Sequence, residues 1–263
     1  MFHLSRGSGA PLLLVHGFCV DHRLLLALDG TIDAHGGWRR IYVDLPGMGR
    51  SDAGPEIDSS DAVADAVVMW VRRELGDEPF AVLGSSYGGM IARHLVAEMG
   101  NQVLGLALLA PLVEADPSRR DAPGRVVLVE DARLLSSLEP DDALEYSEMA
   151  VVQSRENWIL FREHALPGLR SYRPEVIRRL RGRYALTAEP EQRSRRFPGP
   201  TLLVTGRQDH VVGYRSAAAL VERHYPNATV AVLDRAGHNV HLDQPVLTAT
   251  LLKDWLSRMA ANS

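Results

Sequence analysis

The sequence has very little cysteine, few aromatic residues and no long hydrophobic run. Cys19 is the single cysteine among 263 residues, which excludes an internal disulfide and leaves no cysteine-based zinc or redox motif. We therefore predict neither a metal site nor a cofactor. No segment approaches the roughly 18 apolar residues of a membrane span. The apolar stretch from Pro11 to Val15 is too short for a signal sequence, so we expect a cytoplasmic protein.

Charge excludes a further group of functions. The net charge is −4 and the isoelectric point is about 6.2. Basic residues are scattered rather than clustered, so neither a nucleic-acid-binding surface nor a membrane-binding surface is expected. These features favour a monomer or homodimer that acts on a small-molecule substrate, neutral or apolar in character.

Short apolar runs rich in Val, Leu and Ile recur along the chain, and they are continuous rather than alternating. Strands that are buried on both faces of a parallel sheet have this pattern. The runs are Leu12 to Val15, Ile41 to Leu45, Phe80 to Leu83, Val103 to Leu109, Thr201 to Thr205 and Thr229 to Leu233.

Helix-patterned segments lie between several of these runs. Ser60 to Leu75 has apolar residues at four-residue spacing and is followed by Gly76, and Met90 to Met99 has a similar pattern. Strands and helices in alternation predict an α/β fold with a mostly parallel sheet covered on both faces.

The alternation stops between Pro111 and Pro198, where amphipathic segments occur without a strand pattern. We expect a helical lid at residues 112–197, inserted between the two parts of an α/β core at residues 1–111 and 198–263. The amphipathic segments are Asp141 to Ala150, Ser154 to His164 and Pro174 to Arg183.

The pentapeptide Gly84-Ser85-Ser86-Tyr87-Gly88 is the most informative stretch of the chain. A strand pattern leads into it and a helix pattern follows it, which predicts a strand-to-helix turn with Ser86 at its apex. The backbone at such an apex is strained, the side chain projects clear of the sheet, and the flanking glycines give the turn room to close. Ser86 is therefore a candidate nucleophile.

A serine nucleophile needs a histidine that accepts its proton and a carboxylate that orients the histidine. Asp209 and His238 each follow a predicted strand, at the edge where open α/β sheets bind ligands. The order Ser86, Asp209, His238 along the chain is the order expected of a serine at this kind of turn.

Five sequence blocks resemble the α/β-hydrolase family, in particular its lid-bearing, single-domain esterases and proline iminopeptidases. The blocks are His16-Gly17, Asp44-Leu45-Pro46-Gly47-Met48-Gly49-Arg50-Ser51, the serine pentapeptide, Gly206-x-x-Asp209-x-Val211-Val212 and Gly237-His238. The resemblance covers nearly the whole chain outside the expected lid and implies an α/β-hydrolase fold. Only fifteen residues precede His16, so we expect the family's first strand to be missing and seven strands to remain.

The resemblance also implies a role for each of five residues. Ser86 would be the nucleophile, His238 the general base and then acid, and Asp209 the carboxylate that orients His238. The backbone N–H groups of Phe18 and Tyr87 would form the oxyanion hole, which stabilises developing negative charge.

Several alternatives stay open at this stage. Glu114 or Asp116 could supply the carboxylate, as in some relatives, while Asp209 could merely cap a helix. His241 competes with His238 as the base. His16 is expected to order the oxyanion loop, and Cys19 to be a small buried thiol.

These residues favour a serine hydrolase that cleaves a small or medium carboxylic ester, or a lactone or thioester, through an acyl-enzyme. A serine at the apex argues against dehalogenases and epoxide hydrolases, which need a carboxylate nucleophile. Trp158, Phe161 and Tyr172 are candidates for the apolar wall of a substrate pocket, although aromatic residues at helical spacing also suit a lid core.

Two other functions remain possible from the sequence. The serine turn also resembles that of some proline iminopeptidases. An aminopeptidase of that kind would need lid carboxylates to bind the substrate ammonium, and Glu145, Glu148 and Glu163 are available. The other alternative is a ligand-binding module that has the same fold but no catalytic activity.

Overall fold

The computed structural model describes residues 1–193 and 196–260. Seven strands form one sheet in the order β1-β3-β2-β4-β5-β6-β7, in which β1 pairs antiparallel with β3 and every other neighbouring pair is parallel. The strands are β1 (His3–Arg6), β2 (Ala10–Val15), β3 (Trp38–Val43), β4 (Phe80–Ser85), β5 (Val103–Leu109), β6 (Thr201–Gly206) and β7 (Ala228–Leu233).

Helices connect the strands and cover both faces of the sheet. None of the described helices combines the length and the apolar character needed to cross a bilayer. A 3-10 turn lies at Pro117–Arg119 and a π-helical segment at Phe161–Ala165. The α-helices are α1 (Arg23–Leu26), α2 (Asp29–His35), α3 (Ser60–Leu75), α4 (Tyr87–Met99), α5 (Ala132–Ser136), α6 (Pro140–Met149), α7 (Arg155–Leu160), α8 (Leu166–Leu169), α9 (Pro174–Gly182), α10 (Pro190–Arg193), α11 (Arg215–His224), α12 (Val240–Asp243) and α13 (Pro245–Ala260).

The seven-stranded, mostly parallel sheet confirms the predicted fold class. Each of the six apolar runs corresponds to one strand, from β2 to β7. The remaining strand, β1, has the sequence HLSR and is largely exposed at the edge of the sheet. Its sequence lacks the continuous apolar pattern because an edge strand with an exposed face buries few side chains.

The hydrophobic core lies on both sides of the sheet. Successive residues of β2 point to opposite faces, so Leu13 and Val15 join one buried cluster while Leu12 and Leu14 join the other. Helices α3, α4 and α11 pack on the first face, and α2 and α13 pack on the second. This explains why the central strands are continuously apolar.

Residues 112–197, called the insertion below, lie between β5 and β6 and contain α5 to α10. In the described part of this segment, the strand-like pairing is one isolated bridge between Val129 and Val152. Tyr146, Trp158 and Phe161 form an aromatic cluster that packs against Leu24 from α1. The insertion therefore has a small hydrophobic cluster of its own. Through Leu24 this cluster also contacts the α/β core.

A buried ion pair ties the end of the insertion to α4. Arg93 donates two hydrogen bonds to Glu191, both at 2.7 Å, and a third to the carbonyl of Leu112 at 3.0 Å. The hydroxyl of Tyr225 also donates to Glu191 at 2.6 Å, and the more exposed Glu189 accepts from Arg93 at 2.8 Å. Burial acts to raise the pKa of Glu191, but Arg93 outweighs it and lowers that pKa below its ordinary value.

We expect Glu191→Ala to destabilise the fold by about 3 kcal/mol, because removal of one partner leaves the buried Arg93 guanidinium short of its main counter-charge. Urea unfolding measures the loss. The control is Glu98→Ala, which removes a partly exposed ion pair with Arg193 and should cost less than about 1 kcal/mol. Equal, small losses in the two variants would contradict this account of the anchor.

Candidate active site

Ser86 occupies a strained turn between β4 and α4. Its backbone has φ 53° and ψ −118°, in a region that residues other than glycine rarely adopt. The Ser86 N–H donates to the carbonyl of Leu109 at 2.9 Å, and the Leu112 N–H donates to the Ser86 carbonyl at 2.9 Å. These bonds fix the turn to the chain that leaves β5 and hold the Ser86 hydroxyl at the carboxyl edge of the sheet.

The glycines on either side of Ser86 are required by close backbone contacts. A Cβ atom on Gly84 would collide with the carbonyl of Gly88, and one on Gly88 would collide with the carbonyls of Val15 and His16. The glycine spacing in the sequence therefore reflects a turn packed directly against the end of β2.

Ser86, His238 and Asp209 form a continuous chain of hydrogen bonds. His238 Nε2 lies 2.8 Å from Ser86 Oγ, and His238 Nδ1 lies 3.0 Å from Asp209 Oδ2. Because an ionised carboxylate only accepts hydrogen bonds, Nδ1 carries the proton and Nε2 is free to accept one from the serine. The arrangement can therefore move a proton from the hydroxyl to the imidazole.

Asp209 also holds its own loop in place. The side chain is fully buried, and Oδ1 accepts from the backbone N–H groups of Val211 and Val212 at 2.9 and 3.1 Å. The two possible roles of Asp209 are thus compatible, since one oxygen caps the turn while the other faces His238. Glu114 and Asp116 make local contacts instead, with Arg119 and Ser118 respectively.

His241, the alternative base, contacts a different part of the structure. Its Nε2 donates to the carbonyl of Leu24 at 3.2 Å, and burial lowers its pKa to about 4. A neutral imidazole bonded to a backbone carbonyl helps to hold the fold together. The structure brings His238, and not His241, to Ser86.

The loop after β2 lies against the serine. His16 Nδ1 donates to the Gly17 carbonyl at 2.7 Å, and Nε2 accepts from the Leu45 N–H at 2.9 Å. Burial lowers the pKa of His16, so the ring stays neutral and can make both bonds. A Cβ atom on Gly17 would lie 3.3 Å from Ser86 Cβ, which places the next residue, Phe18, beside the nucleophile.

Tyr87 is the first residue of α4, so its N–H has no acceptor within the helix. The Tyr87 ring lies 5.2 Å from the Phe18 ring, and its hydroxyl donates to Ser60 at 2.9 Å. The rings of the two residues predicted to supply oxyanion donors are therefore in contact, and Tyr87 directly follows Ser86 in the chain. Cys19, next in sequence, is partly buried, and burial raises the pKa of its thiol to about 11.

A cavity of about 520 Å³ opens beside Phe18. The Phe18 ring lies 5.0 Å from that of Tyr184, which forms another part of the wall. The remaining wall includes polar and charged side chains as well as small apolar ones. Its lining includes Phe18, Ala115, Asp116, Arg120, Arg181 and Tyr184.

The three aromatic residues predicted as pocket walls do not line this cavity. Trp158 and Phe161 are 6% and 3% exposed and stack on one another within the core of the insertion. Tyr172 is half-buried against the main hydrophobic core. Aromatic residues at helical spacing fill the insertion because its short helices need a core of their own.

The carboxylates considered for an aminopeptidase also lie outside the lining of this cavity. Glu145, Glu148 and Glu163 are exposed, and none of them lines the cavity beside Phe18. That cavity therefore offers the substrate ammonium none of these three acids.

One group of side chains has the spacing of a metal site. Ligand atoms of Asp21, His22 and Asp44 lie within 4.8 Å of one another. Asp21 is paired with Arg23, however, and Asp44 accepts from His22 Nδ1 at 2.8 Å and from the Arg50 N–H at 2.9 Å. Hydrogen bonds within the protein thus already use these oxygens.

Asp243 is a site residue that the sequence analysis missed. Its Oδ2 accepts from the N–H of Gly237 at 2.8 Å, directly before His238, and its Oδ1 accepts from the amide of Asn157 in the insertion at 3.0 Å. Burial raises the pKa of Asp243 to about 6. An acid five residues after the histidine was a signal, but its contact with α7 depends on the tertiary fold.

Asp243 should make stability depend on pH in a defined direction. Its pKa of about 6 in the fold exceeds the ordinary value of 3.8, so the folded state binds this proton more tightly than the unfolded chain. We expect the free energy of unfolding of the native protein, minus that of Asp243→Asn, to fall as pH rises from about 4 to about 7. Denaturant titrations of both proteins across this range measure this difference in free energy. A difference that stays flat or rises with pH would contradict the prediction.

A family model described as the alpha/beta hydrolase fold matches residues 10–245. Among curated proteins, the chain is 28% identical over 256 residues to the dihydrolipoyllysine-residue acetyltransferase component of the acetoin cleaving system of Cupriavidus necator. This match covers 97% of the chain but only 66% of that longer protein. It is 25% identical over 267 residues to the monoacylglycerol lipase ABHD6 of Bos taurus, which covers 95% of the chain and 76% of the lipase.

The fold is also similar to that of solved structures. An alpha/beta superfamily hydrolase from Oenococcus oeni PSU-1 superposes with a TM-score of 0.90 at 28% identity, and the match covers 99% of this chain and 96% of that one. The family match extends over most of the chain and agrees with the sheet order and with the serine turn after β4. The chain belongs to the alpha/beta hydrolase fold family.

Proposed function

We propose that the protein is a serine hydrolase that cleaves a small or medium carboxylic ester through an acyl-enzyme. The observation that carries the proposal is the hydrogen-bonded chain from Ser86 Oγ through His238 to Asp209, with its distances of 2.8 and 3.0 Å. A hydroxyl, an unprotonated imidazole nitrogen and a buried carboxylate in this order are the groups that acyl transfer requires.

In the first half of the reaction, Ser86 Oγ attacks the ester carbonyl while His238 Nε2 takes its proton. The negative charge that develops on the carbonyl oxygen accepts hydrogen bonds from the backbone N–H groups of Phe18 and Tyr87. Collapse of this tetrahedral intermediate breaks the bond to the alcohol oxygen, and His238 returns the proton to that leaving group. The acyl group is left as an ester on Ser86.

In the second half, water replaces the serine as nucleophile. His238 takes a proton from the water, the same two N–H groups bind the new oxyanion, and the carboxylic acid leaves as Ser86 regains its proton. Asp209 keeps its charge throughout, and it stabilises the imidazolium that forms in each half. The full cycle uses no metal and no cofactor.

Similarity to known proteins supports ester cleavage in particular. The chain resembles a monoacylglycerol lipase at 25% identity, and lipases act on carboxylic esters. In this proposal the insertion is a lid over the site, so residues 112–197 form one unit and residues 1–111 and 198–263 form the catalytic core. Cleavage of lactones or thioesters, the cytoplasmic location and the monomeric or homodimeric state remain predictions.

Ser86→Ala tests the nucleophile. We expect kcat/KM for 4-nitrophenyl butyrate to fall by about 10⁴-fold or more, since binding and the oxyanion donors remain but the covalent route is lost. The matched control is Ser85→Ala, which removes the neighbouring hydroxyl and should change kcat/KM by less than about tenfold. A cooperative thermal unfolding transition in each variant is the check that it is folded. Turnover by Ser86→Ala at the native rate would refute the proposal.

A further inference from the structure

The cavity beside Phe18 shares that residue with the loop that packs against Ser86. Phe18 contributes its ring to the cavity wall, while Gly17, just before it, is packed against Ser86. In the proposed reaction the Phe18 N–H binds the carbonyl oxygen of the substrate, and we take the cavity that shares Phe18 as the space for one arm of the substrate. The chemistry of the wall then decides which arms are favoured.

Arg120 is the most rigidly held charge in that wall. Its Nε donates to the carbonyl of Glu114 at 2.9 Å, Nη1 to that of Val211 at 3.1 Å and Nη2 to that of Ala115 at 3.0 Å. These three bonds use three of the five N–H donors of a guanidinium. All three partners are neutral carbonyl groups, so they orient the guanidinium without neutralising its charge.

Arg181, near the end of α9, contributes a second guanidinium to the wall. The Arg181 guanidinium acts to lower the pKa of the Cys19 thiol, against the larger effect of burial. Within residues 1–193 and 196–260, neither Arg120 nor Arg181 makes a salt bridge to a carboxylate. Arg119 and Arg173, by contrast, each make one.

Asp116 is the only acid in the described wall of this cavity. Its carboxylate is exposed, and Oδ1 already accepts from both the N–H and the hydroxyl of Ser118 at 2.9 and 2.7 Å. Two guanidinium groups thus face one carboxylate, and the wall has a net positive charge, although the whole chain has a net charge of −4.

We propose that this cavity binds a carboxylate of the substrate, so that the preferred esters carry an acidic group beyond the scissile bond. The inference rests on the proposed function and adds the substrate class to it. Arg120 is the main binding residue, since its three backbone bonds hold the guanidinium in place and leave two of its five N–H donors for a carboxylate. Arg181 adds a second positive charge from α9, at a more exposed position.

This inference departs from the sequence-based preference for neutral or apolar substrates. That preference came from the scattered basic residues and the small net charge. Net charge describes the average surface, whereas Arg120 and Arg181 come from distant parts of the insertion and are brought together only by the fold.

Two matched pairs of esters test the inference. The acid on the acyl side is tested with mono-4-nitrophenyl glutarate against 4-nitrophenyl valerate. The acid on the alcohol side is tested with 4-carboxyphenyl butyrate against phenyl butyrate. For each pair, the ratio of kcat/KM for the acidic ester to that for the neutral ester measures the preference, independently of total activity.

We expect one pair to show a ratio that depends on the two arginines. Arg120→Gln should lower that ratio by about tenfold and Arg181→Gln by about threefold, because a charge-assisted hydrogen bond is lost from each. Asp116→Asn should raise it, because it removes the repelling carboxylate. The control is Arg178→Gln, an exposed arginine on the same helix as Arg181 but outside the cavity, which should change the ratio by less than about twofold.

The outcomes separate this inference from the proposed function. If neutral esters are cleaved in a Ser86-dependent way but both arginine variants keep the control ratio for both pairs, the inference is wrong and the proposed function stands. Should Arg120→Gln fail to fold, Arg181→Gln and Asp116→Asn still test the inference, because they must shift one ratio in opposite directions. If neither Arg181→Gln nor Asp116→Asn shifts either ratio, the inference is wrong.

Discussion

The site depends on one strained residue. Ser86 has a backbone conformation that costs of the order of 1–3 kcal/mol for a residue with a side chain, and the surrounding fold holds it there. The Leu109 carbonyl and the Leu112 N–H fix it from the side of β5, and close contact between Gly88 and the end of β2 fixes it from the other side. The hydroxyl is thus held where an imidazole can reach it without any rearrangement.

The order of the strands brings the partners of Ser86 to the same edge. Ser86 follows β4, Asp209 follows β6 and His238 follows β7, and β4 to β7 are parallel and run in that order across the sheet. The loops after β6 and β7 touch, since a Cβ atom on Gly206 would collide with the carbonyl of Gly237. A distance of 152 residues along the chain between Ser86 and His238 becomes a direct hydrogen bond for this reason.

The parts of the structure that were predictable from sequence are those with a local cause. A strand buried on both faces is apolar throughout, and a tight turn at Ser86 demands glycine at Gly84 and Gly88, so both leave a mark in the sequence. The contacts of Asp243 with Asn157 and of Arg120 with Val211 left none, because each joins elements that are far apart along the chain. Trp158 was ambiguous for a related reason, since helical spacing shows that a side chain is buried but not against which surface.

The central claim is that His238 draws a proton from Ser86 and so makes it nucleophilic. The most direct measurement is the rate of covalent labelling by a fluorophosphonate, with the modified residue located by peptide mass spectrometry, in the native protein and in His238→Asn. The account predicts a single adduct on Ser86 in the native protein and labelling at least about 100-fold slower in the folded variant. An adduct on another residue, or equal rates in the two proteins, would contradict it.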